Sequence, residues 1–556
     1  MAAIASVVPL DFLRKAGRLC DFVQVMRLGP RTALLPLLLL SACSKGTVAP
    51  APGASATVPA VPANLSGSGG SRQSAAPGAS TPPSVGLDGV LSAAPPSAGQ
   101  RLYARSLKTW IHERPTRNAE LLGYFRAGSG LVVTGPSAGS EGCRAGWYPV
   151  QPRGFVCAEG GATLDQNDAV VAAYAGLGPD FSRRLPYIYG TVRRPGPIYG
   201  RLPTLSEAEQ AEQDLQERMT TWLAAPGEIG ASYAQHVWLG GQTPPDARAA
   251  WDARSSDALP AFLAPGKQLP VPEGQTNHGT ALTASRMKPR QGLSLLKTVL
   301  FEGRRYGVTT DMDVVPTDRL RPIQGSERRG VEIGKDIDFP FALVRTETAR
   351  FKRYEKGKLI DAGPAEYWSP LKLTGKQSFF KKRLHFETQD GLYISDQDAS
   401  RLDAAKKMPA WGKNGERWFD VNVTKQTLVA YDGTRAVYAT LISTGEAGLE
   451  DPAHSKATKR GIFRIHTKHV SATMDSDEAG EEFELRDVPY VQYFEEGYAL
   501  HGAYWHDRFG TPKSHGCINL TPEDARRLFF FTKPELPEGW HSVRQKLTGT
   551  VIFVHP

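Results

Sequence analysis

Near the end of a 556-residue chain, two short stretches collect residue types suited to nucleophilic chemistry. They are Leu500-His501-Gly502-Ala503-Tyr504-Trp505-His506 and Ser514-His515-Gly516-Cys517-Ile518-Asn519-Leu520. A thiol attacks a carbonyl carbon as its thiolate. Histidine is the side chain whose ordinary pKa lets it take that proton near neutral pH. Cys517 is therefore read as a nucleophile and His501 as its general base. Gly516 lacks a Cβ and lets backbone approach a substrate closely. The N–H groups of Gly516 and Cys517 are expected to face a developing oxyanion, with Ser514 holding the turn. His515 stands two residues from Cys517. On an extended segment both lean the same way, so His515 is assigned to shaping the thiolate's surroundings.

The run His-Gly, then Ser-His-Gly-Cys-Ile-Asn-Leu, resembles the signature of the YkuD-type L,D-transpeptidases, cysteine enzymes that crosslink peptidoglycan. The resemblance covers roughly residues 417–556. It implies acyl transfer from a stem peptide at the bond between an L-configured diamino-acid residue and D-alanine. D-alanine leaves, a thioester remains, and an amine of a second stem peptide, or of an outer-membrane protein, resolves it. Water as acceptor makes the same fold an L,D-carboxypeptidase. A reading from another class is a wall-binding lipoprotein that keeps the fold for adhesion; the intact His501, Ser514, His515, Gly516 and Cys517 set argues against it. The resemblance also implies that the Gly502 carbonyl orients His501. Asn519, Tyr498, Tyr493, His506 and Gly502 are expected to serve substrate binding, with core packing the alternative for the two tyrosines and for His506. Asn519 stands where many family members have arginine and others asparagine; an amide keeps hydrogen bonds without the charge. No metal or organic cofactor is required, and carbapenems are expected to acylate Cys517.

The N-terminal region points to export. Met26-Arg27-Leu28-Gly29-Pro30-Arg31 is a short basic start, followed by an apolar run to Leu40 and then Ser41-Ala42-Cys43. That order describes a secretory signal, and the apolar run is too short for a stable membrane-spanning helix. Leu40-Ser41-Ala42-Cys43 resembles a bacterial lipobox, which makes Cys43 the lipidation site and residues 1–43 the signal, with Met26 the alternative start of translation. Ser44 rather than aspartate after the cysteine leans toward the outer membrane. The net charge of +9 includes a surplus of three from residues 1–42. The remaining charges are scattered, with no long Lys/Arg block, so nucleic acid is not an expected partner. Of five cysteines, Cys143 and Cys157 flank two short β-like runs and are read as a disulfide in an oxidising compartment, with two reduced thiols the alternative. Cys517 is left unpaired.

The elements that must position this chemistry are mainly β. Residues 44–100 are Ala, Pro, Gly and Ser with almost no large apolar side chain, so they are expected to form a disordered tether. Residues 101–165 carry about five short strand-like runs with Gly- and Pro-rich turns and resemble a small SH3-like β-barrel, a generic β-domain being the alternative. Residues 166–410 form a mixed, largely β middle region without a phosphate loop, zinc spacing or dinucleotide fingerprint. Within it, Ser206 and Glu209 read as a capping box opening a helix to Leu223, and Phe380-Lys381-Lys382-Arg383-Leu384 reads as a strand. Residues 411–556 are the expected catalytic domain, a YkuD-like β-fold with its active site on loops. Asp432-Gly433 marks a hairpin, and Thr521-Pro522-Glu523-Asp524 opens a helix after the cysteine.

Overall fold

The computed structural model describes residues 99–238, 248–252, 256–476 and 483–556. The signal segment, Cys43 and the tether up to residue 98 lie outside the described residues. The described residues are mainly β.

The C-terminal portion is built on two sheets. In the first, β1 (Arg417–Asn422), β2 (Thr427–Asp432) and β3 (Arg435–Leu441) form a meander. Asp432 and Gly433 turn the chain between β2 and β3, with Gly433 at φ 61° as such a tight turn requires. β4 (Gly461–Arg464) and β10 (Val551–His555) extend this sheet, β10 lying parallel to β1. The second sheet holds β5 (Thr467–Ser476), β6 (Phe483–Glu495), β7 (Tyr498–Gly502), β8 (Ile518–Leu520) and β9 (Ser542–Arg544). Apolar side chains from both sheets meet in one core, including Phe419, Leu428, Tyr490, Leu500 and Ile518. Helix α1 (Pro522–Phe531) inserts Ala525, Leu528 and Phe529 into that core. It begins where its sequence signals place it: proline at the first turn and the Thr521 hydroxyl accepting from Asp524 N–H at 3.1 Å.

Seven short strands between Arg101 and Thr163 make a small β-unit, in which Cys143 and Cys157 are disulfide-bonded. Its core is not its own: Trp540 and Val543 complete it, and strand Leu121–Phe125 pairs with β9. The middle region divides in two. Residues 169–323 mix short helices with strands; strand Gly292–Phe301 meets β6 at Gly292 and Leu485. Residues 341–402 form a separate seven-stranded antiparallel sheet.

Two expectations for the middle region are corrected. The cap is Thr204 with Glu207, not Ser206 with Glu209, and the helix Leu205–Ala211 stops before a second, Leu215–Leu223. Glu212 causes the break. It is buried and accepts from Arg304, Arg319 and Arg218, a demand that outweighs continued helical bonding. Phe380 to Leu384 is a hairpin corner joining strands Pro370–Phe380 and Arg383–Thr388, with Lys381 and Lys382 at positive φ.

One carboxylate ties the parts together. Asp487 on β6 is 3% exposed and ion-pairs with Arg126 of the N-terminal unit. It also accepts from Ser294 Oγ (2.5 Å) and Thr310 Oγ1 (2.6 Å) of the middle region, and from Ser471 Oγ of β5 (2.7 Å). Tyr189 donates to its backbone carbonyl at 2.6 Å. Burial alone raises a carboxyl pKa. Here Arg126 and the three hydroxyls more than reverse that and hold Asp487 well below the usual carboxylate range.

Candidate active site

β7 and β8 run parallel, with His501 directly opposite Asn519. Neighbouring strands lie about 4.8 Å apart, so Cys517, the residue before β8, sits beside the strand that carries His501. His501 is 2% exposed, and its Nδ1 lies 3.4 Å from Gly502 O. That carbonyl needs a donor, so Nδ1 carries the proton and Nε2 keeps the lone pair of a base. Burial pulls the imidazole down to about pKa 4, against a smaller upward pull from the Gly502 carbonyl. Burial also pushes the Cys517 thiol up, partly offset by a backbone hydrogen bond from Ala499. The resting pair is a neutral thiol beside a neutral imidazole. The thiol's own hydrogen bond goes to Gly497 O at 3.7 Å.

The turn before Cys517 is bent rather than extended, with Gly516 at φ 123°. A Cβ on Gly516 would come within 2.9 Å of the Tyr498 ring, so both conformation and space call for glycine. His515 is exposed, and its ring lies 5.4 Å from that of Phe483. Ser514 does hold the turn, its Oγ accepting from Gly516 N–H at 3.1 Å and donating to Cys517 O at 2.5 Å. The Gly516 N–H is thus engaged within the turn, and the expected pair of oxyanion donors reduces to the Cys517 N–H, which has no partner among the described residues.

Sequence reasoning missed the segment that frames this turn. Thr458 Oγ1 donates to Gly516 O (2.8 Å) and accepts from Gly445 N–H (2.9 Å). Ser514 N–H bonds Thr444 O, Glu446 N–H bonds Ser514 O, and Ser443 and Asn519 exchange backbone bonds. These residues are polar and ordinary in the sequence; only strand pairing brings them to the site.

The expected substrate-side residues fall into different environments. Gly502 packs beneath α1, where a Cβ would stand 3.1 Å from Pro489 and 3.3 Å from Ala525. Tyr493 is half-buried near the thiol; burial and the Cys517 charge both raise its hydroxyl pKa. The Tyr498 hydroxyl donates to Pro452 O at 3.4 Å. The Asn519 amide lies 3.1 Å from His506 Nε2 and is 2% exposed. Burial, then the charges of Lys513 and His501, pulls His506 down to about pKa 4. Among the described residues, the one cluster of possible metal ligands is Cys143, Cys157 and Glu159, whose sulfurs are joined to each other.

A thiol directly before one strand and a buried imidazole on the strand paired with it are the groups a cysteine nucleophile and its base require. Residues 416–554 match the YkuD family, described as the L,D-transpeptidase catalytic domain. YciB of Bacillus subtilis, named as an L,D-transpeptidase, is 28% identical over 138 residues, which cover 20% of this chain and 59% of that protein. The chain therefore spans less than two thirds of the length of this relative. The catalytic domain of the Enterococcus faecium L,D-transpeptidase is 22% identical, covering 25% of this chain and 98% of that one, with a TM-score of 0.20. The Mycobacterium smegmatis L,D-transpeptidase is 19% identical, covering 43% and 89%, also at 0.20. TM-scores this low carry no argument; what is shown is the family match over residues 416–554.

Proposed function

We propose that residues 411–556 catalyse L,D-transpeptidation of peptidoglycan stem peptides. The observation that carries this reading is the family match over the segment in which His501 lies on β7 and Cys517 directly precedes β8, its parallel neighbour. Cys517 Sγ attacks the carbonyl carbon between the L-centre of the diamino acid and D-alanine, and its proton passes to His501 Nε2. The Cys517 N–H supports the oxyanion. The C–N bond breaks, the D-alanine nitrogen takes the proton from His501, and a thioester remains. An amine of a second stem peptide then attacks, losing its proton to His501, and the thiol is regenerated with the crosslink formed. Because the resting thiol bonds Gly497 O, the His501–thiol bond forms as substrate enters; such bonds commonly tighten only in the substrate complex.

Intact-mass spectrometry of the full chain with imipenem, and separately with disaccharide-tetrapeptide, tests this. A covalent imipenem adduct absent from Cys517→Ala, together with a crosslinked dimer, is the expected result. Tripeptide alone makes the enzyme a carboxypeptidase, and no adduct on folded protein removes the enzymatic reading. The Leu40-Ser41-Ala42-Cys43 run supports a lipid on Cys43 and an outer-membrane anchor. Wild-type protein should then partition into detergent and Cys43→Ala into the soluble fraction; equal partitioning of the two rules out the anchor.

A further inference from the structure

The hydrogen bonds around His506 fix which end of Asn519 faces it. His506 Nδ1 accepts from Arg508 N–H at 3.3 Å, so in the neutral ring the proton sits on Nε2. Nε2–H must meet an acceptor, and the Asn519 atom 3.1 Å away is therefore assigned as its amide oxygen. As an oxygen, the other end of the amide would be buried without a donor among the described residues, which also favours placing the NH2 there. It belongs to the residue that faces His501 across the strands and follows Cys517 by two positions.

His506 is itself held from outside the catalytic domain. Its ring lies 4.7 Å from that of Phe509. Both backbone polar groups of Phe509 bond a single hydroxyl, Tyr367 Oη, which accepts from the N–H at 2.9 Å and donates to the carbonyl at 2.8 Å. Tyr367 lies in a turn between two strands of the 341–402 unit, and its neighbour Trp368 packs edge-on to Phe509 at 5.8 Å. Trp368 Nε1 is anchored on Arg329 O at 2.6 Å, and Arg328 ion-pairs with Asp507. The loop between His501 and Cys517 is thus clamped by a module more than 100 residues away in sequence.

We propose that Tyr367 is a positioning residue for the catalytic site: it holds Phe509, Phe509 sets His506, and His506 turns the Asn519 amide so that its NH2 is offered to an acceptor oxygen of the acyl-donor peptide. The inference rests on the transpeptidase reading for the identity of that oxygen. It gives the 341–402 module a task in catalysis that its own sequence does not show.

The test uses the full chain and two kinds of readout. In turnover of disaccharide-tetrapeptide, Tyr367→Phe should lower kcat/KM about tenfold, the scale of one lost buried hydrogen bond. The alkylation rate of Cys517 by iodoacetamide, which needs no amide donor, should stay within about twofold. Adding Tyr367→Phe to Asn519→Ala should bring no further loss, because both act through one amide. His506→Gln keeps a donor and should recover most of what His506→Ala loses. Independently of activity, selective 15N-asparagine labelling should show the Asn519 side-chain resonance, identified by its loss in Asn519→Ala, shifting in both Tyr367→Phe and His506→Ala. Phe509→Leu tests the same link if Tyr367→Phe does not fold. Unchanged kcat/KM, additive losses, or an unmoved Asn519 resonance overturns the proposal. A wild-type chain that forms neither adduct nor product overturns the functional reading instead, while the resonance still decides the clamp.

Discussion

His501→Ala should lower kcat/KM by about 10²–10⁴-fold, the range for loss of a positioned general base. Its pH dependence carries more information than its size. The base must be unprotonated, so the rate should fall as pH drops through the His501 pKa, which burial sets at about 4. Activity should therefore persist to about pH 5 and be half lost near 4. The free thiol behaves in the opposite sense. Burial raises its pKa above an already alkaline value, so iodoacetamide should alkylate Cys517 slowly at pH 7 and progressively faster above pH 9. A resting imidazolium–thiolate pair would instead alkylate rapidly and almost independently of pH from about 5 upward. That result would sink the neutral-pair description and leave the identity of the two residues intact.

Asp487→Ala is expected to be the most destabilising single substitution outside the site. It removes the partner of Arg126, which is itself largely buried, and leaves Ser294, Thr310 and Ser471 without their shared acceptor. Breaking a buried pair from one side costs about 3–5 kcal/mol. Chemical denaturation should show that loss, and the double variant Arg126→Met/Asp487→Leu should recover part of it, since no charge is then stranded. A loss below about 1 kcal/mol would mean that the pair is solvated in solution. The sign with pH follows from the depressed carboxyl pKa. The stabilisation is fully present above the ordinary carboxylate value of about 3.9 and is lost as pH falls through the lower folded value. Asp487→Ala should flatten that acid limb.

The two motif segments were legible because they are local: His501-Gly502 and Ser514 to Asn519 are short, specific strings, and β7 and β8, which they adjoin, are paired. The hairpin at Asp432-Gly433 and the helix opened by Thr521-Pro522 were legible for the same reason, each being set by a few consecutive residues. The helix opens at Thr204, two residues before the expected cap, and stops at Glu212, which answers to Arg304 and Arg319 far along the chain as well as to Arg218, a demand that no local propensity contains. Thr458, Tyr367 and Asp487 were invisible for a related reason. Each acts through a single polar group on a residue far along the chain, and nothing in its own neighbourhood marks it.

The pairing of Leu121–Phe125 with β9, and the insertion of Trp540 and Val543 into the N-terminal core, bear on how the molecule is made. A ribosome releases the N-terminal unit long before residues 540–544 exist, so that unit waits with an unfilled apolar gap until synthesis is nearly done. Contacts so far apart in sequence make folding slow and prolong the life of incomplete, sticky intermediates. A chain that terminates early lacks the last piece of its N-terminal unit and leaves that apolar core open.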